Sequence, residues 1–192
     1  MPQFGARVTG VDISTTSDAA IFEEIQALFE THSVLFFPNQ PLNDDQQVAF
    51  SEQFGPLEQT ITTNPMRGSP FARQSNIDIE TGEKIPLDDP RMAYQKGNRL
   101  WHADSTFKDP PSLCSILSAR EVPPTGGATE FISTAYAYDK LDIKLRNKLE
   151  GLIVEHDFVY SRRLTGFYMT EDQQQELPAA HHPLVRVNPF TG

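Results

Sequence analysis

The tripeptide His102-Ala103-Asp104 places an imidazole and a carboxylate two positions apart. In an extended strand, residues i and i+2 point to the same face, so both side chains can reach one metal ion. The residues around Leu100–His102 favour a short strand. The pattern therefore constrains this segment to extended backbone that presents two candidate metal ligands on one side.

One histidine and one carboxylate are two thirds of the 2-His-1-carboxylate face that holds Fe(II) in non-haem oxygenases. A His-x-Asp pattern also occurs by chance in many sequences, so it is weak evidence by itself. The surrounding sequence has to support any assignment of His102 and Asp104 to a metal site.

Composition favours one globular domain over residues 1–192, because 38% of the residues are hydrophobic and 13 are Phe. The formal charge of −10 argues against a nucleic-acid partner, since phosphate binding needs a basic face. Without a secretory signal or an apolar stretch near the roughly 20 residues that span a bilayer, we predict a cytoplasmic protein with no membrane partner. The single cysteine, Cys114, lies in an apolar run and is predicted to be buried rather than nucleophilic.

Helices are predicted from capping signals and apolar periodicity. Ser17 is a candidate N-cap for a helix over about 18–31, and Asn43 begins a capping-box pattern for a second helix. Helical pattern returns over about 134–150, with Asp142 as a candidate N-cap.

Strands are predicted where short apolar runs lie between turn residues. These runs cover residues 8–13, 34–37, 100–102, 112–119, 128–132, 153–158 and 184–187. The stretch 60–98 is instead rich in Pro, Gly and polar residues, which is typical of a functional loop or a disordered segment. Its position before His102 favours a lid or substrate loop.

The last residues, Asn188-Pro189-Phe190-Thr191-Gly192, have the chemistry of a turn that follows a strand. Such a turn normally leads to a returning partner strand, and an unpaired edge strand is an aggregation liability. We therefore expect the domain to continue beyond residue 192.

Six blocks of sequence, taken in order, resemble a known family. They cover 4–12, 33–37, 47–57, 101–104, 122–131 and 182–186, and include Trp101-His102-Ala103-Asp104 and Gly126-Gly127-Ala128-Thr129. With these blocks the sequence resembles the family of taurine dioxygenase and 2,4-dichlorophenoxyacetate dioxygenase. The resemblance implies a mainly β fold with flanking helices, a double-stranded β-helix or jelly roll. It also implies that roughly the C-terminal third of the domain is absent from these residues.

The resemblance implies roles for five residues. His102 and Asp104 are implied as the first two Fe(II) ligands, and Thr129 as the hydroxyl that binds the distal carboxylate of 2-oxoglutarate. Asn98 and Ser105 are implied to lie beside the substrate. From the residues alone, an ordinary strand threonine is the favoured interpretation of Thr129, and Asn98 can equally be a turn residue.

The family's third iron ligand is a downstream His, and a following Arg pairs with 2-oxoglutarate; neither has a counterpart in residues 1–192. His182 is a further candidate ligand, although the matching His-Pro in the family begins a strand and does not bind iron. We expect the isolated 192-residue chain to be inactive and to bind iron weakly.

The resemblance implies a dioxygenase that uses Fe(II), 2-oxoglutarate and O2, and that couples hydroxylation of a small organic anion to formation of succinate and CO2. The taurine branch is disfavoured, because Asn64 and Arg67 stand where taurine-type members carry His and Tyr. The neighbourhoods Gln74-Ser75-Asn76-Ile77 and Tyr160-Ser161-Arg162 resemble the aryloxyacetate branch more closely. Arg67, Arg73 and Arg99 are candidates to pair with a substrate carboxylate.

Other classes stay open at this point. They are a taurine or sulfonate dioxygenase, and a jelly-roll module that has lost catalysis and binds a small ligand. A zinc hydrolase using His102, Asp104 and His182 is disfavoured, because the sequence has no His-Glu-x-x-His motif. The sequence does not decide whether the protein is a monomer or a homo-oligomer.

Overall fold

The computed structural model of the chain describes residues 4–15, 18–60, 69–78 and 80–192. They form two compact units. The first unit contains Met1–Pro56, Ile116–Leu152 and Leu184–Gly192, and the second contains Leu57–Ser115 and Ile153–Pro183. The expectation of a single oxygenase domain over 1–192 stays a prediction.

Short helices and four short strands make up the regular structure of the described residues. In chain order the elements are β1 (Ala6–Arg7), α1 (Ala19–His32), β2 (Leu35–Phe36), α2 (Asp44–Glu52), α3 (Pro90–Lys96), a 3₁₀ turn (Gly97–Arg99), α4 (Thr134–Lys140), α5 (Ile143–Leu149), β3 (Ile153–His156), α6 (Phe158–Arg163), α7 (Glu171–Gln175) and β4 (Ala180–Pro183). Strand β1 pairs with β2 in parallel, and β3 pairs with β4 antiparallel.

Side-chain caps fix where the helices begin. Asp18, not Ser17, caps α1; Ser17 itself lies outside the described residues. The predicted capping box of α2 is confirmed, because Asn43 and Gln46 exchange side-chain-to-backbone hydrogen bonds of 2.8 and 2.9 Å. The predicted cap at Asp142 is also confirmed, and it divides the helical stretch into α4 and α5.

An aromatic cluster forms the core of the first unit. Phe50 is only 3% exposed and lies edge-to-face with Phe37 and Phe54, at centroid distances of 5.9 and 5.7 Å. Edge-to-face packing places the positive ring edge against the negative face of its neighbour. The other buried members of this core are Ile13, Ile25 and Leu42.

The second unit has its own hydrophobic core. Its buried members are Phe158, Val159, Met169 and Leu177. Phe107 packs against this core, with its ring centroid 4.4 Å from that of Phe158. Because Phe107 follows Asp104 by three residues, the core anchors the chain directly after the candidate metal ligand.

The strand content expected for a mainly β fold is not present in the described residues, which hold two two-stranded sheets. The predicted strands over 100–102, 112–119 and 128–132 have no ladder partner there, and a strand is defined by cross-strand hydrogen bonds. The strand predicted over 184–187 begins too late, because pairing with β3 runs over Ala180–Pro183.

The segment 113–119 nevertheless keeps the alternation of an extended chain, since exposed and half-buried residues alternate along it. Cys114 is one of the half-buried residues, and burial raises the pKa of its thiol. This supports the prediction that Cys114 packs as a small hydrophobic side chain. In the described parts of the chain, no helix has the length and apolar character needed to cross a bilayer.

Candidate metal centre

His102 and Asp104 converge although the segment is not a strand. The backbone is irregular at His102 and turns from Asp104 onward. His102 Nε2 and Asp104 Oδ1 lie 3.3 Å apart, and both side chains are about half exposed. The predicted geometry of two donors on one side is therefore present, but a turn produces it instead of a strand.

Each of the two side chains is oriented by a hydrogen bond at its other side-chain polar atom. His102 Nδ1 lies 2.6 Å from the carbonyl oxygen of Leu100, so Nδ1 carries the hydrogen and donates it. Nε2 then keeps its lone pair for a metal. Ser115 donates a hydrogen bond of 2.7 Å to Asp104 Oδ2, which leaves Oδ1 directed towards Nε2. This donor chemistry suits a divalent cation such as Fe(II).

Within the described ranges, no third His, Cys, Asp or Glu joins the pair to complete a group of three. His182 in particular is engaged elsewhere: its Nε2 lies 3.0 Å from the carbonyl oxygens of both Thr106 and Lys108. A zinc hydrolase built on His102, Asp104 and His182 is therefore not supported.

The turn after Asp104 is held by a partly exposed ionic contact. Lys108 Nζ lies 2.5 Å from Glu58 Oε1, and Ser112 and Ser105 also donate to the Glu58 carboxylate. Burial disfavours ionisation of Glu58, but the hydrogen bonds from Lys108, Ser112 and Ser105 outweigh it and hold its pKa below the ordinary value. Glu58 thus clamps both ends of the segment 105–112.

Replacing Glu58 with Gln is expected to lower the free energy of unfolding by about 1 kcal/mol or less at neutral pH, because the pair is partly exposed. A depressed folded-state pKa stabilises the protein above the ordinary value of 4.5 and loses that effect as the pH falls through the folded pKa. Urea unfolding at several pH values should therefore show the difference at pH 7 and its disappearance in acid. Glu83→Gln, at an exposed site, is the control; a difference that persists unchanged into acid would contradict the assignment.

The predicted substrate residue Asn98 lies inside a polar network of the second unit. Its Nδ2 donates to Gln74 and Gln95 at 2.5 and 3.1 Å, and Arg162 donates to its Oδ1 at 3.5 Å. Gly97 leaves room for Arg162, because a Cβ atom at Gly97 would collide with the guanidinium group. The resemblance singles out the neighbourhoods of Gln74 and Arg162, but no sequence pattern predicts their contact with Asn98, because both are distant from it along the chain.

The structure places the remaining predicted residues as follows. Ser105 is half-buried, has a left-handed φ of 52° and hydrogen-bonds to Glu58. Thr129 is exposed, lies outside the regular elements and belongs to the first unit, whereas the other predicted site residues belong to the second. The roles of Ser105 and Thr129 stay predictions.

A small cavity of about 210 Å³ lies on the stretch that precedes His102. It is lined by Leu87, Met92, Gln95, Lys96 and Arg99. The buried Met92 gives it an apolar wall, and the exposed Lys96 and Arg99 give it positive charge. Of the other candidate arginines, Arg73 is exposed, and Arg67 lies outside the described residues.

The helix that carries most of this cavity is fixed at its start by charge. Asp89 accepts hydrogen bonds from the backbone and side chain of Arg91, and Arg91 also pairs with Asp78. The hydrogen bond from Arg91 lowers the pKa of Asp89 to about 2. The three charges tie α3 to the turn around Asp78, so the cavity is built on an anchored segment.

Comparison with known proteins identifies the family. The whole chain, residues 1–192, matches the family described as taurine catabolism dioxygenase TauD, TfdA family. The chain belongs to this family. Within the TauD, TfdA family it is 39% identical to the alpha-ketoglutarate-dependent 2,4-dichlorophenoxyacetate dioxygenase of Cupriavidus pinatubonensis, over 100% of this chain and 68% of that protein.

Two further comparisons agree with this placement. The chain is 35% identical to the (S)-phenoxypropionate/alpha-ketoglutarate-dioxygenase of Sphingobium herbicidovorans, covering 98% of this chain and 65% of that protein. The crystal structure of AAD-2 in complex with Mn(II) and N-oxalylglycine matches with a TM-score of 0.88 at 34% identity, over 98% of this chain and 66% of that one. The chain thus spans about two thirds of the length of these relatives. The predicted resemblance, including the aryloxyacetate branch, is confirmed.

Proposed function

We propose that the protein is an Fe(II)/2-oxoglutarate-dependent dioxygenase of the double-stranded β-helix class that hydroxylates a small aryloxy carboxylate. The observation that carries the proposal is the convergence of His102 Nε2 and Asp104 Oδ1, 3.3 Å apart, in a chain of the TauD, TfdA family. The names of its relatives, which act on phenoxy acids with alpha-ketoglutarate, support the substrate class.

In this proposal His102 Nε2 and Asp104 Oδ1 hold the metal, and Thr129 binds the distal carboxylate of 2-oxoglutarate. Fe(II) and 2-oxoglutarate, when bound, supply the oxidising chemistry in which O2 is consumed and succinate and CO2 are released. The carbonyl of Leu100 keeps His102 in the tautomer with a free Nε2, and Ser115 keeps Asp104 Oδ1 directed towards Nε2. Both contacts reduce the reorganisation that metal binding requires.

We propose that the cavity lined by Lys96 and Arg99 receives the substrate, with Asn98 and Ser105 beside it. At about 210 Å³ the cavity is smaller than the roughly 300–1,000 Å³ of typical ligand sites. This size suits a single aromatic ring, and the two cations suit its carboxylate. Arg99 precedes His102 by only three residues, which brings the cavity close to the metal pair along the chain.

The proposal, like every activity and metal-affinity measurement below, is tested on the protein at the full length that the cell makes, because the isolated 192-residue chain is predicted to be inactive. Fe(II) and 2-oxoglutarate are added anaerobically, followed by O2 and phenoxyacetate. We expect a visible absorption band from the metal-chelated 2-oxoglutarate, and then phenoxyacetate-dependent formation of succinate. Absence of both would favour the alternative of a binding module without catalysis. A band with succinate formation that responds to taurine and not to phenoxyacetate would correct the substrate class.

Replacing Arg99 with Gln is expected to raise KM for phenoxyacetate about tenfold, because a charge-assisted hydrogen bond is worth about 1.5–3 kcal/mol. The kcat should change little, since the contact is made equally in the ground and transition states. Steady-state succinate assays measure both constants. Arg73→Gln is the matched control; the same KM change at Arg73 but not at Arg99 would move the carboxylate contact away from the cavity.

A further inference from the structure

His182 is the one polar side chain that is buried among the described residues, with only 7% of its surface exposed. It lies on β4, opposite Val154 of β3 in the antiparallel register. Alternation along β4 directs His182 inward, whereas the preceding His181 is exposed and pairs with Glu155 at 3.1 Å. A buried imidazole requires hydrogen-bond partners, and those of His182 are specific.

The partners of His182 are two carbonyl oxygens of the turn that begins at Asp104. His182 Nε2 lies 3.0 Å from the oxygen of Thr106 and 3.0 Å from that of Lys108. Both partners are acceptors, so Nε2 must carry a hydrogen and share it between them. A nitrogen in this state has no lone pair to offer, so His182 does not bind a metal through Nε2.

The same turn is fixed from its other sides. Phe107, between the two carbonyls, packs on Phe158, and Lys108 pairs with Glu58. His182 adds the contact that restrains the backbone itself, two residues after Asp104. Since the direction of a side chain follows from its backbone, holding the carbonyl of Thr106 restrains the angle at which Asp104 faces His102.

We propose that His182 is a positioning residue of the metal centre, which fixes the Asp104 turn through the carbonyls of Thr106 and Lys108. The proposal rests on the proposed metal site at His102 and Asp104. It assigns His182 a hydrogen-bond donor function that an amide can replace. Gln is the suitable substitute, because its NH₂ group reaches the position of Nε2 and offers two hydrogens.

The test is the affinity of the protein for Mn(II) alone, measured from the free-ion EPR signal and from the fluorescence of Trp101, the single tryptophan, next to His102. His182→Ala should weaken Mn(II) binding about tenfold, as loss of a supporting contact typically does. His182→Gln should restore most of the affinity. His181→Gln, on the same strand, should leave it unchanged.

A second control separates positioning from stability. Val159→Ala removes part of a buried side chain in the same unit and should lower the free energy of unfolding without changing Mn(II) affinity. If His182→Ala does not fold, the Mn(II) affinities of His182→Gln and His181→Gln are compared instead. A near-wild-type Mn(II) affinity in His182→Gln supports the proposal.

Three results would overturn the proposal, each in a recognisable way. Wild-type affinity in His182→Ala would show that the turn does not need the contact. A loss of Mn(II) affinity in His182→Gln as large as that in a folded His182→Ala would show that the imidazole itself is required. Unchanged Mn(II) affinity in His102→Ala would show that His102 is not a metal ligand. It would contradict both the proposed function and the role of His182.

Discussion

Replacing His102 with Ala is expected to reduce kcat/KM for 2-oxoglutarate decarboxylation by about a thousandfold or more, equivalent to about 4 kcal/mol of transition-state stabilisation. The variant removes the Nε2 donor, and the described residues offer no replacement near Asp104. Succinate formation in the presence of saturating Fe(II) measures the loss, and a Mn(II) titration shows whether it arises from metal binding.

His181→Ala is the control for this prediction. His181 is exposed and pairs with Glu155, so its removal deletes the same side chain without touching the metal pair. Its kcat/KM should stay within about twofold of the wild type, because loss of an exposed ion pair changes energies by about 1 kcal/mol or less. If His102→Ala retained near-wild-type turnover, His102 would not be a ligand.

Replacing Phe50 with Ala is expected to lower the free energy of unfolding by about 3–5 kcal/mol. Phe50 is 3% exposed and contacts the rings of Phe37 and Phe54, so the variant leaves a cavity and removes two aromatic contacts. A loss of this size is a large part of the about 5–15 kcal/mol that typically stabilises a domain. Urea unfolding followed by circular dichroism measures it.

Phe36→Ala provides the matched comparison, because Phe36 is 60% exposed. The same atoms are removed from the same unit, but most of them are already in water, so the loss should be much smaller. Equal destabilisation by the two variants would place Phe50 outside the core.

Local signals in the sequence predicted two of the helix N-caps correctly. Asn43 and Asp142 cap their helices as expected, because capping depends on residues only three positions apart. Strands were harder to predict, because pairing depends on partners far along the chain. The run 112–119 has the right alternation, yet no ladder forms there among the described residues.

In the candidate site, too, residues close together in the sequence were predicted and residues brought together from distant parts of the chain were not. His102 and Asp104 were predicted because they are neighbours in the sequence, and the convergence of their side chains agrees with that prediction. Ser115, Glu58 and His182 were missed as supporting residues, since Ser115 follows Asp104 by 11 positions and the others are more distant. A lone Ser, Glu or His carries no sequence pattern that marks such a role.

The interleaving of the two units has a consequence for biosynthesis. The buried residues Ile13, Ile25, Leu42 and Phe50 all lie before residue 57, so much of the first unit's core can collapse while the ribosome is still translating. The second unit needs β4, which ends at Pro183, before β3 and the Asp104 turn have their partners. Until then the turn that begins at Asp104 lacks its hydrogen bonds to His182. Assembly of the proposed metal site therefore waits for β4, even though His102 and Asp104 are translated before it.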